Sequence, residues 1–186
     1  STDKACLAES VYGASKYIME RVFMNTNNSG NRFALTRFAN VAHSNGSVLP
    51  FWCKSYLEGK PLKLTDPKMN RLIFTEDDAA SLIDRTVKHT KKFGGGFVNS
   101  YKMKCVNMLD LAKFISDDVE IIGKRPGEKT DEDLISQREI SKTFIYENDI
   151  HIRMEENEDS NKLSAPYNSK TAKQMTEADM EKLVWG

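Results

Sequence analysis

A tyrosine and a lysine four residues apart stand in Tyr12-Gly13-Ala14-Ser15-Lys16. On a helix that spacing puts both side chains on one face, one turn from each other. A phenol with a pKa of about 10 is a poor base at neutral pH. A nearby ammonium stabilises the phenolate and makes the phenol a usable base. Such a pair can take a proton from a hydroxyl while a hydride leaves the carbon. Just upstream, Ser1-Thr2-Asp3-Lys4 sets a carboxyl beside an ammonium, a second candidate acid and base. Each pattern alone is common: Tyr-x-x-x-Lys arises by chance, and an Asp-Lys neighbour pair is usually an exposed ion pair. Their closeness in the chain is what points to chemistry.

The elements that must hold these groups read as alternating helices and strands. Apolar residues Val11, Ala14, Ile18 and Val22, with Met19 and Phe23, predict a helix over 10–26. The stretch 25–31 is rich in turn formers and should stop it. Arg32–Phe38 reads as a buried strand, followed by a loop over 39–47 and a helix opening near Pro50, which a first turn tolerates. Short strands are expected at 61–65 and 72–74. Thr75 to Asp78 resembles a capping box before a helix over 79–89. The glycines 94–96 form a turn into a strand at 97–100; they do not open a helix, so they are no phosphate cradle. A helix over 107–116 and strands at 120–122, 143–146 and 150–154 follow. A polar loop spans 155–164, and a helix over 176–184 carries a Thr176…Asp179 cap. This alternation predicts an α/β fold with parallel strands.

Composition narrows the classes. The 186 residues are 39% hydrophobic, with 27 basic and 27 acidic side chains and no net charge, too apolar and balanced for a disordered tail. The zero charge argues against a dedicated nucleic-acid binder. No apolar run reaches the roughly 20 residues that span a bilayer, so no membrane association is expected. Three scattered cysteines, Cys6, Cys53 and Cys105, suit free thiols in a reducing, cytoplasmic setting. His43, His89 and His151 have no ligand spacing, so no metal site is expected. Residues 1–116 carry 17 basic and 10 acidic side chains, and 117–186 carry the reverse. A basic first part could handle an anionic ligand such as a diphosphate.

Five ordered motifs then carry a resemblance. Ser1–Lys16 matches S-T-D-K-A…Y-G-A-[ST]-K, and Arg37–Trp52 is similar to R-[FY]-x-N-V…S-x-G-S-V-x-P-x-F. Thr65–Arg71 looks like T-D-x-x-M-T-R, Ile121–Lys129 keeps I-I-G-x-R-P-G-E-K, and Tyr167–Ser169 matches Y-x-S. Together they resemble the extended short-chain dehydrogenase/reductase superfamily, and within it the UDP-N-acetylglucosamine 4,6-dehydratases of polysaccharide and pseudaminic-acid biosynthesis. Two departures stand out: His43 replaces a small residue, and Asn70 replaces a threonine before Arg71.

The resemblance implies roles. Tyr12 would be the base at the C4 hydroxyl, with Lys16 its electrostatic partner and a ribose contact, and Thr2 bonded to the same hydroxyl. Lys4 would act at C5 and Asp3 at O6 in the elimination of water, which requires Lys4 to be buried enough to lose its proton. NADP would be the cofactor, met by Tyr12, Lys16, Asn40 and Val41. Asn40, Ser47, Val48, Pro50, Arg71, Arg125 and Glu128 would bind the UDP-sugar. Guanidinium forks suit phosphate oxygens, and a carboxylate can accept both ribose hydroxyls.

The glycine-rich turn with which this superfamily binds the cofactor pyrophosphate is not in the sequence. The chain is therefore expected to match the later part of a longer enzyme, with roughly 120 to 130 residues before it. It would comprise the end of a Rossmann-like NADP domain over 1–60, with the catalytic helix, and a mainly UDP-sugar-binding region over 61–186, interleaved in part. Alone it should not turn over substrate. A homo-oligomer is expected, because helix 10–26 belongs to the superfamily's usual dimer face. The alternatives are a sugar-nucleotide epimerase or reductase of the same superfamily and an inactive, UDP-sugar-binding remnant.

Overall fold

The computed structural model describes residues 1–27, 31–156, 158 and 160–186. In chain order, a 3-10 turn at Asp3–Ala5 leads to α1 (Val11–Asn25), β1 (Ala34–Thr36), β2 (Asn40–Val41), α2 (Val48–Leu57), β3 (Leu62–Leu64), β4 (Asn70–Phe74) and α3 (Glu76–Phe93). Then come β5 (Phe97–Tyr101), β6 (Cys105–Asn107), α4 (Met108–Ile115), β7 (Val119–Ile121) and β8 (Asp133–Ile135). A second 3-10 helix, Gln137–Lys142, precedes β9 (Thr143–Tyr146), β10 (Asp149–Arg153), β11 (Tyr167–Asn168) and α5 (Glu177–Trp185). Part of the expected turn over 25–31 (residues 28–30) and part of the polar loop over 155–164 (157 and 159) lie outside the described residues. Among the described residues no helix is long and apolar enough to cross a membrane.

The fold is mixed α/β, with parallel strand pairs β1–β5, β2–β4 and β3–β7. Two compact units each draw on three segments. The first is Ser1–Phe38, Asp77–Lys102 and Asp133–Asn168; the second is Ala39–Glu76, Met103–Glu132 and Ser169–Gly186. The chain passes between the units at Phe38/Ala39, Glu76/Asp77, Lys102/Met103, Glu132/Asp133 and Asn168/Ser169.

In the first unit a four-stranded sheet runs β1-β5-β10-β9, with β10 antiparallel to both neighbours. The strand expected over Arg32–Phe38 shortens to three residues, all half-buried rather than buried. Its ladder runs along β5, and Phe38, two residues beyond it, meets Ser1–Asp3. There Thr2 bridges Phe38, Asp3 N–H donates to Phe38 O at 2.7 Å, and Phe38 N–H donates to Ser1 O at 3.1 Å.

The inward face of α1 differs from the apolar periodicity. Gly13, Glu20 and Met24 are its buried residues, whereas Val11, Ile18 and Val22 are largely exposed. A buried partner turns the helix: Arg37, wholly buried, forks onto Glu20 with Nε–Oε1 at 3.0 Å and a second bond at 2.6 Å. Paired charges tolerate burial that a lone carboxylate does not.

The second unit buries Leu49, Trp52, Leu62, Leu111 and Ala112 in one apolar cluster. The indole of Trp52 satisfies its N–H on Lys63 O at 2.9 Å. Asn107 caps α4, its Oδ1 accepting from the backbone of Leu109 and Asp110. Thr176 and Asp179 form a full capping box on α5. His43 holds a left-handed backbone (φ 59°), and its Nε2 donates to Leu183 O at 2.8 Å, so this departure ties its loop to α5.

Candidate active site

The first unit gathers all five groups expected to do chemistry. Asp3 is only 2% exposed in the 3-10 turn. Its Oδ1 accepts from Thr2 Oγ1 at 2.8 Å and from Lys4 Nζ at 3.1 Å. Its Oδ2 is buried and has no hydrogen-bond partner among the described residues. A buried acceptor left bare costs about 1–3 kcal/mol, so the fold maintains a carboxylate with one oxygen committed and one available. Thr2, expected at a sugar hydroxyl, here orients Asp3. Lys4 differs from its expected burial: its side chain is 38% exposed, with the ammonium turned to Asp3.

Helix α1 delivers the other pair. Ser10 caps it, its Oγ accepting from Gly13 N–H at 3.0 Å, which fixes the first turn under Tyr12. Tyr12 is 54% exposed, and the Lys16 ammonium sits over its ring, 5.5 Å from the centroid. The i,i+4 spacing therefore puts phenol and ammonium together.

Gly13 lets the two groups meet. A Cβ built there would lie 2.4 Å from Lys4 O and 3.3 Å from Ala8 Cα. Only a residue without a side chain allows α1 to rest on the turn that carries Asp3 and Lys4. The sequence displays Gly13 inside the Tyr-Lys motif but gives no sign of this contact, which depends on the folded backbone.

A buried ionic network, also hidden from the sequence, fixes the same elements. Besides Glu20, Arg37 binds Glu139 (NH2–Oε1 2.8 Å, NH1–Oε2 3.2 Å) and donates to Leu134 O at 2.9 Å. Glu139 also accepts from Ser136 N–H at 2.9 Å, Ser136 Oγ at 3.0 Å and Cys6 Sγ at 3.2 Å. Burial alone would raise the Glu139 carboxyl, but Arg37, Ser136 and Cys6 outweigh it and hold it below the usual range. Burial and the Glu139 charge push the Cys6 thiol up, so it stays protonated and donates. The network joins α1, the residue that follows β1, the second 3-10 helix and the residue that ends the Asp3–Ala5 turn.

The residues expected at the sugar nucleotide lie in the second unit. Asn40 Nδ2 donates to Leu72 O at 2.9 Å, tying β2 to β4, with Val41 next to it in β2. Ser47 precedes α2, and its buried Oγ has no partner among the described residues. Val48 opens that helix, and Pro50 is exposed in its first turn. Arg125 to Glu128 form a tight turn, with Pro126 followed by Gly127 at φ 78°, the pattern of a type II turn. Glu128 N–H donates to Arg125 O at 3.1 Å, and Glu128 Oε2 accepts from Arg125 N–H at 3.2 Å. Arg71 differs from the others: it is 9% exposed, and its guanidinium meets backbone carbonyls. Among the described residues no cluster of three or more His, Cys, Asp or Glu could hold a metal ion.

A family described as "Polysaccharide biosynthesis protein" matches residues 1–154. The chain is 36% identical over 155 residues to a UDP-N-acetylglucosamine 4,6-dehydratase (inverting) of Campylobacter jejuni, covering 80% of this chain and 46% of the relative. It is 34% identical to an uncharacterized membrane protein of Methanocaldococcus jannaschii, covering 99% of this chain and 60% of that one. A UDP-glucose 4-epimerase of Rickettsia rickettsii is 32% identical, over 76% of this chain and 44% of its own length. The X-ray structure of Pen from Bacillus thuringiensis superposes with a TM-score of 0.85 at 26% identity, covering 99% of this chain and 60% of that one. The chain thus spans about half the length of the curated relatives it matches.

Proposed function

The chain belongs to the polysaccharide biosynthesis protein family, and from that membership we propose that it forms the catalytic and sugar-nucleotide part of a UDP-N-acetylglucosamine 4,6-dehydratase. The observation that carries this reading is Asp3: a buried carboxylate held by Thr2 and Lys4, with Oδ2 bare, against the helix of Tyr12 and Lys16. A C4 epimerisation needs one base; loss of water across C5–C6 needs a further acid and base.

Tyr12, with Lys16 over its ring, takes the proton of the C4 hydroxyl. The sugar becomes a 4-ketone, which acidifies the hydrogen at C5. Lys4 removes the C5 proton, and Asp3 gives a proton to O6 as water leaves. One proton moved from Lys4 to Asp3 along their 3.1 Å contact first converts the ion pair to amine and acid, and the elimination restores the ion pair. The Lys4 ammonium then gives C5 its proton as the hydride reaches C6, and the proton Tyr12 took from O4 makes good the balance. A bound nicotinamide dinucleotide supplies acceptance of the C4 hydride and its return to C6. The exposed phenol and ammonium of Tyr12 and Lys16 fit the hydroxyls of its ribose; Asn40 and Val41 are further proposed cofactor residues, and NADP is the proposed form. Ser47, Val48 and Pro50 are the proposed sugar contacts, and Arg125 and Glu128 would hold diphosphate and ribose. The exposed stripe of Val11, Ile18 and Val22 supports a homo-oligomer.

The likeness to the Rickettsia enzyme favours a second reading, a sugar-nucleotide 4-epimerase. The test is incubation of UDP-N-acetylglucosamine with NADP+ in deuterium oxide, the chain being complemented in trans by a glycine-rich dinucleotide-binding half. A dehydratase gives a 4-keto-6-deoxy sugar deuterated at C5. A C4 epimer that keeps its C6 oxygen would establish the second reading instead. The chain alone is expected to show no turnover.

A further inference from the structure

The Asn70-Arg71 pair opens β4 beneath the segment that carries Arg125 and Glu128. Arg71 donates from NH1 to Thr130 O at 3.0 Å and Asn70 O at 2.8 Å, and from NH2 to Lys129 O at 2.8 Å. Its side chain is 11% exposed, with Glu132 at 4.0 Å. A guanidinium suits this work, because its planar fork reaches two successive carbonyls where an ammonium is a single point. Asn70 acts on the same stretch: its backbone N–H donates to Thr130 O at 2.9 Å and its Nδ2 to Asp131 Oδ1 at 3.0 Å. Lys124 closes the other end, with Nζ 2.8 Å from Asp66 Oδ2 and 2.5 Å from Thr130 Oγ1. The Lys124 contact, joined by the Lys68 backbone N–H, holds the Asp66 carboxyl below its ordinary range.

We propose that Asn70 and Arg71 are positioning residues that clamp the turn Arg125–Glu128 through the carbonyls of Lys129 and Thr130 and the carboxylate of Asp131, rather than ligands of the diphosphate. The clamp rests on the reading of Arg125 and Glu128 as sugar-nucleotide contacts only for its effect on binding. Its structural half stands by itself. The departure at Asn70 has a physical sense here: its longer amide side chain donates to Asp131 Oδ1 while its backbone N–H serves Thr130, a reach that the shorter threonine hydroxyl lacks.

The experiment has two readouts on the full chain, with Arg71→Met, Arg71→Lys and the milder Asn70→Thr. Amide hydrogen exchange over residues 125–131 should speed up in all three variants, at least about tenfold in Arg71→Met from the loss of charge-assisted bonds. Calorimetric titration should show UDP and uridine weakened by the same factor in Arg71→Met, with no recovery in Arg71→Lys. Exchange unchanged in Arg71→Met and Asn70→Thr would overturn the clamp. So would a loss of UDP affinity much greater than that of uridine, restored by Arg71→Lys, which marks a direct phosphate ligand. If the parent chain binds neither UDP nor uridine, the sugar-nucleotide reading fails, and the exchange readout still decides the clamp.

Discussion

The carbonyl oxygen of Lys4 lies 2.4 Å from the place where a Cβ on Gly13 would stand. Helix α1 and the Asp3–Lys4 turn are in backbone contact there, so the approach of the Tyr12–Lys16 pair to the Asp3–Lys4 pair is set by the absence of a side chain.

Gly13→Ala therefore has nowhere to put its methyl without moving α1 or the turn, since both obstacles are backbone. Overpacking of this kind costs about 1–3 kcal/mol. Thermal or denaturant unfolding should show that loss, despite the better helix propensity of alanine. An unchanged midpoint would mean that the contact is slack.

Removing the charge at Arg37 strands two buried carboxylates, Glu20 and Glu139. Arg37→Met should cost about 3–5 kcal/mol. The triple change Glu20→Leu, Arg37→Met, Glu139→Leu leaves no buried charge and should recover a large part of it. A double-mutant cycle on Glu20 and Arg37, read by urea unfolding, measures their coupling; values near zero would contradict the fork seen here.

Acid should weaken the fold through His151. Its ring is fully buried, stacked on Phe97 at 4.1 Å, and its Nε2 lies 2.9 Å from His89 Nδ1. Burial first, then His89 and Arg153, pull its pKa down to about 3, against the opposing pull of Asp149. The unfolded ring takes its proton near pH 6.5, before the folded one. The stability it supplies is therefore complete above that pH and lost as pH falls towards 3. Between neutrality and pH 5 the loss is about 2 kcal/mol. His151→Phe should flatten that part of the stability profile; an unaltered slope would place the titration elsewhere.

Much of the local order was legible from the sequence. The strand at Thr143–Tyr146 and the Thr176…Asp179 cap are decided by near neighbours, and both stand where those neighbours put them. The orientation of α1 was not legible. Glu20 is drawn inward by Arg37, 17 residues away, and Arg37 also meets Glu139, 102 residues further on. No window of sequence contains that network, and an apolar stripe of Val11, Ile18 and Val22 reads as an inner face without it. Within the site, Thr2, Asp3 and Lys4 are adjacent, and Tyr12 and Lys16 one turn apart, so their pairing follows from the chain itself. The work of Gly13, Asn70 and Arg71 depends on which backbone lies across from them, which only the fold reveals.

The division of labour between the two pairs can be separated in one measurement. The complemented chain with Asp3→Asn or Lys4→Met is given UDP-N-acetylglucosamine and NADP+, and the release of the 4-keto-6-deoxy product is followed beside the absorbance of the reduced cofactor. If Asp3 and Lys4 carry the elimination, product release falls by about a hundredfold or more while oxidation at C4, served by Tyr12 and Lys16, still occurs. Product released at the parent's rate by both variants would contradict the assignment.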